Sequence, residues 1–302
     1  MTAARTKAYL SLLLAAAIWG AAGPVIKYTL NGIDPLPFLA YRFLVTGLVC
    51  IIFFASNKKY LRQLRKGFWW IFGYGFFGAF IGLTLLFMGL NKTGVLDLSL
   101  IGLMAPIVVI IGGVLIFKDH ITKREKIGIS LVLIGAIFTG FSPLLTNHMG
   151  KTVFTGNILL FIFLASDSIS YFFSKETVKK GIDPAVVTNG GLLIGALGII
   201  PLAIATTGTK EIVNQVMSLT LPYHLGVIYM GLFSGSLAYY LHIRGLKTVE
   251  ISESALFAYL QPIFAIPLAI LWLNEKINIY FLVGAVLVST GILLAEYKRR
   301  RR

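Results

Sequence analysis

Asp167 is the residue whose type and position in this 302-residue chain could support chemistry most directly. It lies near the centre of an apolar stretch, residues 155–174, that is long enough to cross a membrane once. A carboxylate at that depth costs ~2.5–3.5 kcal/mol, so we expect it to face the protein interior and to have a partner or a function. It could carry protons or act as the counter-ion of a cationic group. The structural alternative is a protonated acid that is hydrogen-bonded to the neighbouring serines.

Arg42 is a second ionisable residue inside an apolar stretch, toward one end of residues 36–55. It could bind an anionic group such as a substrate carboxylate, or it could pair with Asp167. Long cationic side chains also bury their stem in apolar surroundings and extend the charged group to the nearer membrane surface. This snorkelling arrangement is the one that the sequence favours.

Further aromatic and amide side chains in the apolar stretches could form the wall of a cavity for a small organic substrate. Aromatic rings pack against organic groups and can stack on cations. We expect only part of the set to touch a cavity, since residues such as Tyr240 and His242 lie toward a membrane surface. The candidates are Trp19, Tyr171, Tyr239, Tyr259 and Gln261.

Pro106 and Pro262 lie near the middle of two apolar stretches. Each proline removes a backbone N–H and crowds the carbonyl one turn earlier. At membrane depth that carbonyl must find another partner or line a water-filled cavity. We therefore predict that both prolines are hinges or cavity-lining residues, and the alternative is a tolerated kink.

The composition indicates a membrane protein. The chain is 57% hydrophobic and 13% charged, with a mean hydropathy of +0.84, whereas soluble domains are about 25% charged. The net charge of +15 comes from cations in short loops between apolar runs, so we expect no nucleic-acid partner. With only Cys50 available, a disulfide framework or a cysteine-based metal site is excluded. We expect no cofactor and no metal.

The apolar stretches predict ten membrane spans. The first has a basic start like a signal peptide, but we interpret it as an uncleaved span because nine more follow. Their approximate bounds are 8–28, 36–55, 68–90, 95–117, 124–142, 155–174, 184–206, 222–244, 252–273 and 278–296.

The loop charges predict the orientation. Cations concentrate in alternate connections, and such loops lie in the cytoplasm, so we expect both termini to be cytoplasmic in an inner-membrane protein. The connections of the opposite side carry only Lys27, Lys92, Lys151, Lys210 and Lys276.

The chain contains an internal repeat. Residues 75–135, shifted by 156 positions, align without gaps on residues 231–291. Five spans per copy is an odd number, so the second copy must enter the membrane from the opposite face. Inverted repeats of this kind are typical of secondary transporters, which alternate access around a site near the midplane.

At these residues the sequence resembles the drug/metabolite transporter superfamily, specifically the ten-span EamA-type permeases. The resemblance implies an all-α membrane protein with ten transmembrane helices, as two inverted five-helix repeats that form a basket around a central cavity. It implies that spans 1, 3, 4, 6, 8 and 9 line the cavity, which would place Arg42 away from it, and that small metabolites are exported. The matching features are Ala17–Gly20 and the pairs Gly89/Gly245, Pro106/Pro262, Asp119/Glu275 and Gly128/Gly284.

We therefore expect two repeats, residues 1–146 and 147–302, in a monomeric secondary transporter within the lipid bilayer. Its expected substrates are small polar metabolites, amino acids or related zwitterions and cations first, and its expected direction is export. No ATP-binding loop is present, so transport would use an ion gradient, with protons carried by Asp167, an exchange, or the substrate's own gradient. The alternatives are an intramembrane enzyme, for which the sequence offers no nucleophile or metal motif, and a channel or scaffold.

Overall fold

The computed structural model describes residues 3–108, 123–145 and 150–296, and Asp119 of the repeated acidic pair lies outside them. The described residues form helices without a strand, so the predicted all-α class is confirmed. The helices are α1 (Ala3–Thr29), α2 (Pro35–Ser56), α3 (Lys58–Lys66), α4 (Phe68–Lys92), α5 (Val95–Gly102, continuing to 108), α6 (Lys123–Phe141), α7 (Gly150–Lys179), α8 (Pro184–Thr207), α9 (Thr209–Ser218), α10 (Leu221–Leu246), α11 (Ile251–Leu271) and α12 (Ile279–Glu296).

Seven of these helices are long and apolar enough to cross a membrane, namely α1, α2, α4, α6, α7, α8 and α11. An eighth crossing belongs to the bent pair of α9 and α10, whose axes differ by 114°. The remaining two predicted spans correspond to the shorter apolar helices Val95–Val108 and Ile279–Leu294, of which the first reaches the edge of a described range. The structure therefore supports a multi-pass helical bundle, in which the described residues of all ten predicted spans are apolar helices.

Helices α3 and α9 occupy connections for which the sequence analysis predicted no structure. Helix α3 begins at Asn57, whose side-chain oxygen accepts the Lys59 N–H at 2.9 Å. Its half-buried Tyr60 and Leu64 pack against the bundle, while its five cations are exposed. The i, i+4 spacing of Tyr60 and Leu64 was the signal that would have predicted this amphipathic helix.

The two copies of the internal repeat have irregular backbone turns at equivalent positions. Helix α4 contains a π-helical stretch, Gly75–Gly82, and α10 contains another, Tyr229–Leu237, that overlaps it at the 156-residue offset. Ahead of Pro106 the helix is interrupted by a turn at residues 103–104, and ahead of Pro262 by a 3₁₀ turn, Leu256–Leu260. Such interruptions are uncommon within helices and often mark functional regions.

Side chains of neighbouring helices donate to carbonyls of the π-helical stretches. Ser166 donates to the Phe77 carbonyl at 2.7 Å, and Thr46 donates to the Gly231 carbonyl at 3.3 Å. The Trp19 indole N–H donates to the Ser234 carbonyl at 3.1 Å. Because a carbonyl has two lone pairs, these contacts stabilise the irregular turns without replacing the helical bonds.

Two lysines hold equivalent carbonyls at opposite ends of the bundle. The Lys27 ammonium donates to the Leu90 and Thr93 carbonyls, at 2.8 and 2.7 Å. The Lys175 ammonium donates to the Leu246 and Val249 carbonyls, which are the same positions in the other repeat. We refer to these as the Lys27 end and the Lys175 end.

Helices α4 and α8 approach closely at Gly75 and Gly191. A Cβ atom placed on Gly75 would lie 2.6 Å from the Gly191 carbonyl oxygen and 2.9 Å from its Cα. Both are backbone atoms that cannot turn away as a flexible side chain can. The absence of a side chain at Gly75 is therefore a condition of the packing in this part of the bundle.

We expect Gly75→Ala to lower the free energy of unfolding by about 1–3 kcal/mol, because the added methyl group overpacks the contact. The measurement is thermal unfolding of the purified protein in detergent. Gly47→Ala in α2 is the matched control, since a Cβ atom there would have no neighbour within 4 Å. Equal melting temperatures for the two variants would contradict the packing argument.

Candidate functional site

The bundle encloses a central cavity of about 130 Å³. This volume is enough for roughly ten water molecules or for a small metabolite. Seven helices line it, namely α1, α2, α4, α5, α7, α10 and α11. Six of them correspond to the spans that the family resemblance implied, and α2 is added to them by Arg42.

The Arg42 side chain turns into the bundle and lines the cavity, so the snorkelling prediction is wrong. The side chain is only 1% exposed, and its guanidinium carbon lies 5.7 Å from the Phe43 ring and 5.6 Å from the Phe87 ring. Gly235 of α10 makes the room, because a Cβ atom there would lie 3.3 Å from Nη2. A glycine on a facing helix cannot be recognised as the neighbour of Arg42 from the sequence.

All three guanidinium nitrogens of Arg42 are buried without a hydrogen-bond partner within the described ranges. A guanidinium group has five N–H donors and no acceptor. Burying a charge with its donors unsatisfied is unfavourable by several kcal/mol, and the two aromatic faces offset only part of that. The site is therefore complementary to an anion, and a carboxylate matches the planar, bidentate geometry of the group best.

Asp167 faces the same cavity from α7, and its side chain is half-buried. Two of the neighbouring serines are occupied elsewhere, since Ser166 donates to the Phe77 carbonyl and Ser168 donates to the Leu164 carbonyl. Ser170 donates to the Asp167 main-chain carbonyl at 2.6 Å. The carboxylate thus keeps much of its acceptor capacity toward the cavity.

Arg42 and Asp167 do not pair with each other, which corrects one of the alternatives from the sequence. The ion pairs in the described part of the chain are Arg5 with Glu253 and Lys179 with Glu176. The cavity therefore presents one cation and one anion as separate groups. Tyr239 lines the same cavity as both of them.

Trp19, Tyr171 and Tyr239 line the cavity as predicted and form part of its wall. The Trp19 ring lies 5.0 Å from Tyr239 and 5.2 Å from His242, and the Tyr171 ring lies 4.8 Å from His242. His242 is buried behind them, and its Nε2 is 3.1 Å from the Ser254 hydroxyl. The histidine supports the wall and is not itself part of it.

Gln261 and Pro262 line the cavity together with Ala258, but Tyr259 does not. Residues i and i+3 of a 3₁₀ turn share one face, so Ala258 and Gln261 point the same way and Tyr259 is about 120° away. Tyr259 packs against the hydrophobic core, which corrects the prediction for that residue. Because Tyr259 and Gln261 are two positions apart, they lie on different faces of an α-helix as well as of a 3₁₀ turn, and their spacing in the sequence already separated them.

The carbonyl group that loses its helical hydrogen bond at Pro262 finds another donor nearby. The Ala258 carbonyl, which Pro262 cannot bind, accepts the Gln261 N–H. In the first repeat Pro106 is buried and Ala105 lines the cavity beside it. The hinge function of the two prolines stays a prediction.

Ser99 of α5 and Ser234 of α10 are cavity residues that the sequence analysis missed. The Ser99 hydroxyl donates to the Val95 carbonyl at 2.8 Å, and the Ser234 carbonyl accepts the Trp19 indole N–H. Serines are common in membrane helices, so neither carried a signal by type alone.

Comparison with known proteins gives consistent relatives along the whole chain. The EamA-like transporter family matches twice, over residues 6–141 and 154–297. An uncharacterized transporter, YyaM, of Bacillus subtilis is 26% identical over 291 residues, covering 95% of this chain and 93% of that protein. A probable amino-acid metabolite efflux pump of Escherichia coli is 24% identical over 296 residues, covering 96% and 95%. One solved crystal structure superposes with a TM-score of 0.65 at 17% identity and covers 96% of each chain.

Proposed function

Because the chain belongs to the EamA-like transporter family, we propose that it is a secondary transporter that carries small zwitterions, α-amino acids first, through the central cavity. The family and the named relatives are transporters, so an intramembrane enzyme is no longer an alternative. One observation carries the choice of substrate: a buried guanidinium and a carboxylate face the same cavity without pairing.

In this proposal the two charges of an amino acid replace the missing partners in the cavity. The substrate carboxylate accepts hydrogen bonds from Arg42, which satisfies the buried donors. The substrate ammonium binds Asp167, and the Trp19 and Tyr171 rings add cation–π attraction. Tyr239, which lines the same cavity, fixes the orientation of the substrate.

The direction and the membrane orientation belong to the proposal as well. The relatives named as amino-acid metabolite efflux pumps support export. The concentration of cations in alternate connections supports cytoplasmic termini in the cytoplasmic membrane. A monomer is proposed as well, because seven helices of a single chain suffice to line the cavity.

Alternating access is proposed around this cavity, with the repeats 1–146 and 147–302 as inverted units. The interrupted helices α5 and α11 would bend next to Pro106 and Pro262. Proton coupling would act through Asp167, since a protonated acid no longer attracts an ammonium group.

The test is a thermal-shift panel on the detergent-purified protein with amino acids, with carboxylic acids that lack the ammonium group and with amines that lack the carboxylate. A ligand at 100 times its Kd stabilises the folded state by about 2.7 kcal/mol, which is a shift of several degrees. We expect amino acids to stabilise the protein more than either partial analogue. Stabilisation by quaternary ammonium compounds and not by amino acids would contradict the proposal and indicate a cation exporter.

A further inference from the structure

Glu275 joins the two halves of the chain at the Lys27 end, outside the cavity. Its two carboxylate oxygens accept the main-chain N–H groups of Val95 at 2.7 Å and Leu96 at 2.9 Å. These are the first two residues of α5, whose N–H groups have no partner within the helix. A residue of the second repeat thus caps a helix of the first.

The residue before α5 cannot cap the helix with its own side chain, so the cap comes from another helix. Helices usually begin with Ser, Thr, Asp or Asn, whose side chain accepts one of the free N–H groups. Here the preceding residue is Gly94, which has no side chain, and a Cβ atom on it would lie 2.9 Å from Glu275 Oε2. The glycine therefore leaves the space in which the Glu275 carboxylate lies.

The end of α11 places Glu275 in a defined position. Asn274 has a left-handed backbone, with φ of 55°, and the Glu275 N–H donates to the Ala269 carbonyl at 3.0 Å. This bond folds the chain back onto the end of α11 and fixes the position of Glu275. Movement of α11 relative to α5 would therefore move the carboxylate away from the N–H groups.

Aromatic residues cover the Lys27 end beside this contact. The Tyr28 ring of α1 lies 4.8 Å from the Trp272 ring and 5.3 Å from the Tyr223 ring. Lys27 next to Tyr28 holds the carbonyls at the end of α4. Contacts among α1, α4, α5, α10 and α11 thus hold the helices together at this end.

We propose that Glu275 is a gating residue that holds the Lys27 end closed, and that release of α5 from Glu275 is required to open the cavity to that side. The inference rests on the proposed transport function. Helix α5 carries the cavity residues Leu98, Ser99 and Gly102, so its movement is a movement of the cavity wall. Charge-assisted hydrogen bonds to a helix N-terminus are strong enough to bias such an equilibrium.

Cysteine accessibility in sealed proteoliposomes tests the proposal without any substrate. The background is Cys50→Ala, with one reporter per protein: Ser99→Cys, one turn from the Lys27 end, or Ala258→Cys, two turns into α11 from the Lys175 end. A membrane-impermeant thiol reagent is applied from the side that each reporter faces. Each reporter is combined with Glu275→Ala or with the control Glu211→Ala, whose carboxylate at the Lys27 end accepts from the nearby Gln215 of the same helix.

We expect Glu275→Ala to raise the labelling rate of Ser99→Cys about fivefold and to lower that of Ala258→Cys about twofold. These values correspond to a tenfold change in an equilibrium that starts at about 10:1 in favour of the closed Lys27 end. Glu211→Ala should change neither rate. The opposite signs at the two reporters are what a merely structural role would not produce.

An increase at both reporters would mean general loosening of the fold and would overturn the proposal. Unchanged rates would overturn it too, because the contact would then have no influence on access. A silent thermal-shift panel together with the expected labelling would leave the gating role in place and would count only against the proposed amino-acid substrate.

Discussion

Arg42→Met is expected to abolish the response to amino acids while raising the thermal stability of the ligand-free protein. The guanidinium is 1% exposed and has no hydrogen-bond partner among the described residues. Replacing a buried charge by an apolar side chain of similar volume is often stabilising, by about 1–4 kcal/mol. The same substitution removes the two charge-assisted hydrogen bonds proposed for the substrate carboxylate, which weakens binding at least about 100-fold.

The two effects are measured on one sample, as the melting temperature without ligand and the further shift at saturating amino acid. Arg42→Lys is the matched control, since it keeps the charge but not the planar fork of donors. We expect Arg42→Lys to bind about tenfold more weakly than the wild type and to retain a measurable shift. A normal response of Arg42→Met to amino acids would remove Arg42 from the binding site.

Asp167→Asn is expected to reduce transport of amino acids about 10- to 100-fold, because the substrate ammonium loses its charged acceptor. The wild type should transport less as the pH falls and the Asp167 carboxylate takes up a proton. The variant should lose that part of the pH dependence, since asparagine does not titrate. The measurement is uptake into proteoliposomes over a range of pH values.

Glu176→Gln is the control for Asp167→Asn. It removes a carboxylate from the same helix, but Glu176 pairs with Lys179 at the surface, where an ion pair contributes little.

The two cavity variants, Arg42→Met and Asp167→Asn, should also differ from each other in which ligands they still bind. Arg42→Met should lose the response to carboxylic acids and Asp167→Asn the response to amines. An Asp167→Asn protein with unchanged rate and pH dependence would exclude a charge role for Asp167.

The sequence was sufficient for conclusions that depend on the cost of placing a group in the membrane. A chain with 13% charged residues and apolar stretches of about 20 residues is expected to fold as helices in lipid. The same cost marked Asp167 as a residue that must face the interior, and the structure places it at the cavity. The interruptions ahead of Pro106 and Pro262 follow from the missing N–H of proline, which is a local property of the chain.

Tertiary structure alone decided which way the other side chains point. A membrane helix that is apolar on all sides gives no periodic signal for the face that meets its neighbours. The position of Arg42 depends on the space left by Gly235 of another helix, and the contact of Tyr259 with the hydrophobic core depends on how α11 packs against its neighbours. Glu275 meets its partners 180 and 179 positions away, through the packing of α5 against α11. Contacts between distant segments are set by how the helices pack, and residue type and spacing do not specify them.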